Sequence, residues 1–386
     1  MKSLLLSVTF LLIAALQAAA FDTRATAAYV LDQTTGTVLL SKNAEEPLPP
    51  ASMSKLMTLY MTFEAIADGR LTLDETLPVS QRAMDLGGST MFLNTRDRVS
   101  VEDLIRGIIV LSGNDACIVL AEALSPDGTE AGFARMMTAR AQEMGMMNST
   151  FTNSTGWPQA GHRMSMEDLA ILADRLITDY PTYYPLFAER EFLFDGRAPQ
   201  NKSNRNPLLA LDIGADGLKT GHTQEAGYGL VGSAKQGDRR VIFVVTGLPT
   251  VASRAEESEK ITTWAFRQFV EKNVATSGTL IAQADVWMGN QTSVGLTVAD
   301  DLSLLVPVVG ASNINAFAEF NGPIEAPIEA GQQLGELVVE VEGLPDVRHP
   351  LVADRAIARG GVMPRLRAAV TVLLRDYAGI STQGAL

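Results

Sequence analysis

The sequence predicts an α+β protein that is followed by a small all-β domain. Apolar runs at residues 28–32 and 36–41 lie on either side of Gln33-Thr34-Thr35, a pattern typical of a hairpin. Helical periodicity fills the middle of the chain, and strand-like runs return at residues 228–234 and 240–246. Strands at both ends of a helical middle favour one sheet built from N- and C-terminal pieces.

The helical middle is predicted from apolar residues that recur at three- and four-residue intervals. One more helical pattern closes the region at about residues 253–269, and the Asn-Val-Ala-Thr-Ser-Gly segment at residues 273–278 is typical of a linker. The central helices are predicted at residues 53–67, 101–110, 115–124, 131–144 and 166–177.

The segment after this linker is predicted to be a small all-β domain that extends to about residue 350. Short apolar runs there alternate with clusters of Gly, Pro, Asn and Asp. The runs cover residues 282–288, 302–309, 316–320 and 337–341. The expected divisions of the chain are residues 1–20, 21–273, 274–355 and 356–386.

Composition and charge exclude several classes of protein. The 386 residues carry a formal charge of −13, whereas nucleic-acid binding needs clustered Lys and Arg. The hydrophobic fraction of 46% against 19% charged residues excludes wholesale disorder. A single cysteine forms no internal disulfide, and the three histidines lie far apart, so we expect neither a metal nor another cofactor.

The N-terminus has the pattern of a secretory signal peptide. Lys2 is followed by an apolar run over residues 4–16, and Ala18-Ala19-Ala20 precede Phe21. The alternative is a membrane-spanning anchor, but the run is shorter than the ~20 residues that a bilayer requires. We therefore expect export and cleavage after Ala20, and the acidic mature chain favours a periplasmic location.

The C-terminus is predicted to be an amphipathic helix that begins after Gly360-Gly361 at Pro364. Between residues 359 and 376 there are four arginines and one aspartate, on an otherwise acidic protein. A basic polar face is typical of a helix that lies on an anionic membrane; a helix docked on its own protein core is the alternative. The apolar face comprises Leu366, Ala369, Val370, Leu373, Leu374 and Tyr377.

The first motif with a chemical meaning is Ser52-Met53-Ser54-Lys55, the only Ser-x-x-Lys in the chain. It opens the predicted helix at residues 53–67, so the i, i+3 spacing places both functional groups on one face. A serine hydroxyl becomes a strong nucleophile when a base removes its proton, and a neutral lysine amine is such a base. Alone the motif is weak, because Ser-x-x-Lys is also ordinary helix-capping sequence.

Two further motifs follow in order. Ser112-Gly113-Asn114 separates two predicted helices, where it is also ordinary turn sequence. Lys219-Thr220-Gly221, with His222 after it, is predicted to lie on a strand, and the glycine permits close approach of another backbone. The three motifs together, in this order after a signal peptide, are a strong indication of serine acyl-transfer chemistry.

These residues resemble the low-molecular-weight penicillin-binding proteins that are serine-type D-alanyl-D-alanine carboxypeptidases. The likeness covers about residues 21–350 and extends to the motifs at residues 204–206, 221–223, 226–228 and 257–259 and to Arg254. It implies a serine β-lactamase/DD-peptidase-like catalytic domain, with an antiparallel sheet and a helical subdomain. A β-sandwich domain and an amphipathic anchor on the outer face of the inner membrane would follow.

The resemblance also implies the role of each site residue. Ser52 would attack the carbonyl between two D-alanines of a peptidoglycan stem peptide, and β-lactam antibiotics would acylate it as inhibitors. Lys55 would be the base, with its pKa lowered by the charge of Lys219. The remaining roles are a proton relay at Ser112, substrate contacts at Asn114, Lys219, Thr220, Gly221 and Arg254, and an oxyanion hole from the N–H groups of Ser52 and His222.

Several nearby residues receive a simpler interpretation. We expect His162 to be a surface histidine, although it follows a loop that the family places near the acyl-enzyme. Cys117 lies among apolar residues and is expected to be a buried structural thiol. Arg205 and Asn206 either border the substrate groove or form a turn, and are left out of the catalytic set.

Three rival functions remain. A serine β-lactamase of class A needs a glutamate that positions water, and Glu143, the only glutamate between residues 131 and 153, lacks the expected spacing. A non-catalytic peptidoglycan- or penicillin-binding protein is disfavoured because all three motifs are intact. An endopeptidase that cuts cross-links would share every motif.

Overall fold

The computed structural model describes residues 21–308, 314–341 and 344–361. The predicted signal peptide and the predicted amphipathic helix lie outside these residues. The helices are α1 (Lys55–Ala67), α2 (Gln81–Asp85), α3 (Val101–Arg106), α4 (Asn114–Leu124), α5 (Glu130–Glu143), α6 (Met166–Asp179) and α7 (Val251–Arg267).

The strands are numbered in chain order. The first part of the chain contains β1 (Ala27–Asp32), β2 (Thr37–Lys42), β3 (Thr76–Pro78), β4 (Arg98–Ser100), β5 (Ala215–Thr223), β6 (Gly227–Gln236) and β7 (Arg239–Leu248). The second part contains β8 (Phe269–Ala275), β9 (Leu280–Trp287), β10 (Ser293–Val298), β11 (Leu302–Pro307), β12 (Ile314–Phe320), β13 (Ile324–Glu325), β14 (Gln333–Val341) and β15 (Val347–Ala353).

The central sheet combines both ends of the first part of the chain, as the sequence predicted. Its strand order is β2-β1-β7-β6-β5, and all neighbouring strands are antiparallel. In the register, Ala27 of β1 lies opposite Thr246 of β7. This pairing leaves β5, which carries the Lys-Thr-Gly motif, at one edge of the sheet.

Alternating side chains of β7 enter two hydrophobic cores. Ile242 and Val244 face the core that the helical part of the chain fills, whereas Phe243 and Val245 face the core beneath α7. Both faces of a strand in this position are covered, so its sequence reads as a nearly continuous apolar run. The sheet is therefore a middle layer, with α6 packed on one face and α7 on the other.

Local structure near two motifs differs from a simple helix prediction. The helix predicted to start at residue 53 begins as a 3-10 turn, Ala51–Ser54, and becomes α-helical at Lys55. The helix predicted at residues 101–110 ends as α3 at Arg106 and continues as a π-helical turn, Gly107–Leu111, which leads directly into Ser112. Turns of this type are common at functional sites.

The second part of the chain is a β domain. Its six-stranded sheet has the order β12-β14-β15-β10-β9-β13, and β8 pairs separately with β11. The linker prediction for residues 273–278 was wrong at its first three residues, because they complete β8. The apolar-run pattern also missed β10 and β15, both of which enter this sheet.

Strand β11 connects the two parts of the molecule. Leu305 is fully buried in the core beneath α7, and its N–H donates to Oγ1 of Thr37 on β2 at 3.4 Å. Across the residues that the structure describes, no helix is long and apolar enough to cross a membrane.

Candidate active site

Ser52 and Lys55 lie where the 3-10 turn passes into α1. The Nζ of Lys55 donates to Oγ of Ser52 at 2.9 Å and to the carbonyl oxygen of Thr155 at 2.6 Å. Lys55 is completely buried, whereas Ser52 is partly exposed to solvent. The lysine therefore meets the serine from inside the protein, and the serine hydroxyl faces the groove.

The environment of Lys55 favours its neutral form. Burial is the main cause that lowers its pKa to about 8. The positive charge of Arg205 acts in the same direction, while Cys117 and Asp115 act against it. A lysine with this pKa is unprotonated in a useful fraction of molecules near neutral pH, as a general base must be.

The predicted repulsion between Lys55 and Lys219 is present, but it is not the main cause of the lowered pKa of Lys55. The main cause for Lys55 is burial, and the charge of Arg205 acts in the same direction. For Lys219 itself, burial lowers the pKa well below the usual lysine value, and the charge of Lys55 adds to that effect. Both lysines are thus pushed toward the neutral state.

Ser112 occupies a left-handed backbone conformation, with φ +63°, at the end of the π-helical turn. Its hydroxyl is buried and has no hydrogen-bond partner among the residues that the structure describes. Non-glycine residues in this conformation are uncommon, and such strain concentrates at functional sites. Ser112 also lines the same cavity as Ser52, which suits the predicted relay.

Asn114 holds the loop at residues 86–93 as well as lining the groove. Its side-chain nitrogen donates to the carbonyl oxygen of Gly87 at 2.8 Å, and its backbone N–H donates to that of Ser89 at 2.7 Å. The next residue, Asp115, accepts hydrogen bonds from the N–H groups of Met91 and Leu93. The Ser-Gly-Asn turn therefore shapes this side of the groove.

Strand β5 approaches the nucleophile closely at Gly221. A Cβ there would lie 3.0 Å from Cγ of Met53 and from the carbonyl oxygen of Pro50. The prediction that this glycine permits close backbone approach is therefore confirmed. On the same strand Lys219 is buried, and its Nζ donates to the carbonyl oxygen of Thr220 at 3.4 Å.

A cavity of about 460 Å³ brings together six of the nine predicted site residues; Asn114 lines a neighbouring cavity, and the buried Lys55 and Lys219 line neither. Arg254 reaches it from α7, and its guanidinium carbon lies 5.9 Å from the ring centroid of Tyr228. That ring stacks on His222 at 3.8 Å. The lining comprises Ser52, Ser89, Ser112, Arg205, Thr220, Gly221, His222, Tyr228, Val251 and Arg254.

Arg205 was left out of the predicted site, yet its hydrogen bonds link three segments of the groove. Its guanidinium donates to Oγ of Ser89 at 2.7 Å and to the carbonyl oxygen of Leu111 at 3.2 Å. Its own carbonyl oxygen accepts from Arg254 at 3.2 Å. The Asn204-Arg205-Asn206 motif pointed to Arg205. The sequence alone could not show whether this residue borders the groove or forms a turn, because its partners Ser89 and Leu111 lie about 100 positions away.

The interpretation of His162 as a surface residue was wrong. Only 2% of His162 is exposed, and its Nδ1 accepts a hydrogen bond from the N–H of Thr152 at 3.1 Å. The other ring nitrogen lies 3.0 Å from Oγ of Ser54, and because Nδ1 accepts, Nε2 carries the proton. Burial and the charge of Lys55 lower its pKa to about 4. The neutral ring of His162 therefore links Thr152 to Ser54 through hydrogen bonds.

Cys117 is fully buried, as predicted. Burial raises the pKa of its thiol to about 12, which rules it out as a nucleophile near neutral pH. Within residues 21–308, 314–341 and 344–361, no group of three or more His, Cys, Asp or Glu side chains is arranged to hold a metal ion.

A buried lysine in contact with a serine, beside an antiparallel sheet flanked by helices, is an arrangement typical of a class of serine hydrolases. A family model described as D-alanyl-D-alanine carboxypeptidase matches residues 14–250, more than half of the chain. The chain belongs to this family. Residues 269–359 match a second model, the C-terminal domain of penicillin-binding protein 5.

Individual relatives agree with the family match. D-alanyl-D-alanine carboxypeptidase DacC of Escherichia coli is 36% identical over 347 residues, which cover 87% of this chain and 85% of the relative. Penicillin-binding protein 5 of Haemophilus influenzae superimposes with a TM-score of 0.74 at 32% identity, covering 88% of this chain and 98% of the other. Carboxypeptidase DacD of Francisella tularensis gives 0.73 at 28% identity, covering 89% and 95%.

Proposed function

We propose that this chain is a serine-type D-alanyl-D-alanine carboxypeptidase that removes the terminal D-alanine from peptidoglycan stem peptides through an acyl-enzyme on Ser52. The observation that carries the proposal is the 2.9 Å contact between Nζ of Lys55 and Oγ of Ser52. Family membership and relatives that span most of the chain support the reaction class.

In the acylation step, neutral Lys55 takes the proton of Ser52 as Oγ bonds to the carbonyl carbon. The negative charge on the carbonyl oxygen is stabilised by the N–H groups of Ser52 and His222. When the peptide C–N bond breaks, the leaving amine of D-alanine receives a proton through Ser112. Water then attacks the ester, with proton transfer through the same groups, and releases the shortened peptide.

The carboxylate of the leaving D-alanine binds at Arg254 and Thr220. A guanidinium pairs with a carboxylate through two parallel hydrogen bonds, and the site buries much of Arg254. The cation–π contact of Arg254 with Tyr228, whose ring stacks on His222, limits the orientations that the arginine side chain can adopt. A free carboxylate at the end of the substrate is therefore part of recognition.

A class A β-lactamase needs a glutamate that is free to position water, and neither glutamate in the described residues around α5 is suited to this role. Glu143 is exposed and pairs with Arg140 at 3.0 Å. Glu130 is buried, but one oxygen accepts from the N–H and Oγ of Ser154, and the other pairs with Arg82. We therefore propose that β-lactams acylate Ser52 and remain attached as inhibitors. An endopeptidase activity on cross-links would use the same residues.

Mass spectrometry after incubation with penicillin tests the assignment directly. We expect one adduct per molecule, on the peptide that contains Ser52. The Ser52→Ala variant should form no adduct and should release no D-alanine from a peptide ending in D-Ala-D-Ala. Rapid turnover of benzylpenicillin without a trapped adduct would favour the β-lactamase, and D-alanine release by Ser52→Ala would reject the nucleophile.

We also propose that the chain is exported to the periplasm and is held at the outer face of the inner membrane by its C-terminal helix. The support is the sequence pattern at residues 1–20 and 356–386, both largely outside the described residues. Truncation after Arg359 should move the protein from the membrane fraction to the soluble fraction. Unchanged fractionation would reject the anchor.

A further inference from the structure

A second cavity, of about 270 Å³, opens from the other side of Ser52. It shares Ser52, Ser89 and His222 with the larger cavity, so the two meet at the nucleophile. Its most conspicuous wall is the indole of Trp157, which is 46% exposed. An aromatic ring of this size is usually more buried in a folded protein, so its position in the groove calls for an explanation.

The direction of the substrate follows from the charges. Arg205 and Arg254 line the larger cavity, which therefore receives the carboxylate of the leaving D-alanine. If the scissile carbonyl is at Ser52, the rest of the donor peptide extends into the smaller cavity. A volume of about 270 Å³ is much more than the methyl group of the penultimate D-alanine requires, so the preceding residue also has room there.

The backbone around Trp157 is held firmly in place. The Oδ1 of Asn153 accepts hydrogen bonds from the N–H groups of Thr155, Gly156 and Trp157 at 3.1, 2.8 and 3.2 Å. Its Nδ2 donates to the carbonyl oxygen of Trp157 at 3.0 Å. A binding surface that is ordered before the ligand arrives costs less entropy on binding.

The opposite wall also contacts the indole. A Cβ at Gly88, on the loop that Asn114 holds, would lie 2.7 Å from Cζ3 of Trp157. One side of the indole ring therefore packs against the backbone of Gly88, and the other side faces the groove. Only glycine fits at this point, because Gly88 also has φ +83°.

The cavity presents one exposed indole among small polar side chains, namely Ser52, Ser89, Asn114, Thr155 and Thr223. Among the described residues that line it, there is no Asp, Glu, Lys or Arg. We propose that Trp157 forms an acyl-side subsite that binds the methylene chain of the residue before the penultimate D-alanine. The indole face packs against the methylenes, and the polar end of that side chain remains in solvent. This inference rests on the proposed function, since the substrate direction depends on Ser52 and Arg254.

Two peptides that differ only at this residue provide the test: acetylglycyl-D-Ala-D-Ala and Nα,Nε-diacetyl-lysyl-D-Ala-D-Ala. In the Trp157→Ala variant we expect kcat/KM for the lysyl peptide to fall about tenfold, and for the glycyl peptide to change less than about twofold. Trp157→Phe should recover most of the preference. Trp287→Ala, at a partly exposed indole of the β domain, is the matched control and should leave both values unchanged.

The outcomes separate the subsite from the proposed function. Equal losses for both peptides would mean that Trp157 only supports the fold of the loop, and no loss for either would mean that the cavity does not bind this residue; each overturns the subsite. Failure of the wild-type enzyme to cleave either peptide, with no penicillin adduct on Ser52, would instead overturn the proposed function.

Discussion

At the scale of single residues, the surroundings of Lys55 decide its pKa: burial lowers it, and the charge of Arg205 lowers it further. Spacing along one helix face was enough to bring Lys55 to Ser52, because both belong to one short segment. Arg205 comes from a distant segment, and only the folded chain places its charge near Lys55. The same limit explains His162, whose two partners, Thr152 and Ser54, lie in different segments.

Removal of the Arg205 charge should shift the pH dependence of acylation. Because a nearby positive charge disfavours protonated lysine, Arg205→Gln raises the pKa of Lys55 above about 8. The rate of penicillin acylation rises with pH as Lys55 loses its proton, so its midpoint should move upward. A shift of about half a unit would make acylation about threefold slower at pH 7. Stopped-flow acylation measured from pH 6 to 10 provides the profile.

Arg205→Lys is the control for charge. It keeps the positive charge but loses the fork that contacts both Ser89 and Leu111. Its midpoint should stay near that of the wild type, even if the maximal rate falls. A parallel shift in both variants would assign the effect to the lost hydrogen bonds.

At the scale of elements, the loop at residues 153–158 is a structural part of the active site. The carbonyl oxygen of Thr155 accepts from Lys55, and the adjacent Gly156 touches the segment that carries the nucleophile. A Cβ at Gly156 would lie 1.8 Å from the carbonyl oxygen of Ala51. Hydrophobic periodicity predicted the helices on both sides of this loop. Periodicity does not show which distant segments a loop contacts. The π-helical turn before Ser112 escaped prediction for the same reason.

Gly156→Ala should therefore reduce both stability and acylation. The backbone has φ +79°, which costs alanine about 1 kcal/mol, and the contact with Ala51 forces the two segments apart in addition. We expect a lower Tm and acylation of Ser52 slowed by a factor of about ten or more, because a small displacement of reacting groups is costly. Differential scanning calorimetry and penicillin-binding rates measure the two effects.

Gly161→Ala is a close match for the backbone cost alone. Its φ is +84°, and a Cβ there would meet only Cγ2 of Thr152, at 3.6 Å. This variant should lose stability modestly and keep its acylation rate. Equal effects of the two substitutions would show that the contact between Gly156 and Ala51 does not matter for the site.

At the scale of the whole molecule, the sequence predicted the order of the two domains. It did not predict the contact that joins them, which is made by β11. The high proportion of acidic residues at positions 274–350 indicated that the β domain is a separate domain. The structure joins its strand β11 to the core beneath α7, through Leu305. The division at residues 273 and 274 remains a prediction, and β8 runs across it.

Leu305→Ala should destabilise the catalytic part of the molecule as well as the β domain. Loss of a fully buried leucine costs about 2–5 kcal/mol, and its neighbours in this core include Phe243 and Ile261. We expect a lower midpoint of urea unfolding, with loss of penicillin binding in the same transition. Leu280→Ala, at a leucine that is 53% exposed, should change the midpoint little. Retention of penicillin binding after the β domain has unfolded would contradict the shared core.

The pairing of β1 with β7 means that the central sheet needs strands from both ends of the catalytic part of the chain. A ribosome makes the chain from its N-terminus, so the nucleophile at Ser52 exists long before the strand that completes the sheet. Such distant pairing is slow, and the early strands stay exposed until their partner arrives. The sheet that carries the Lys-Thr-Gly strand is therefore complete only in a chain that extends through residue 248. We expect a chain truncated before β7 to contain the whole Ser-x-x-Lys motif and yet to form no penicillin adduct in mass spectrometry.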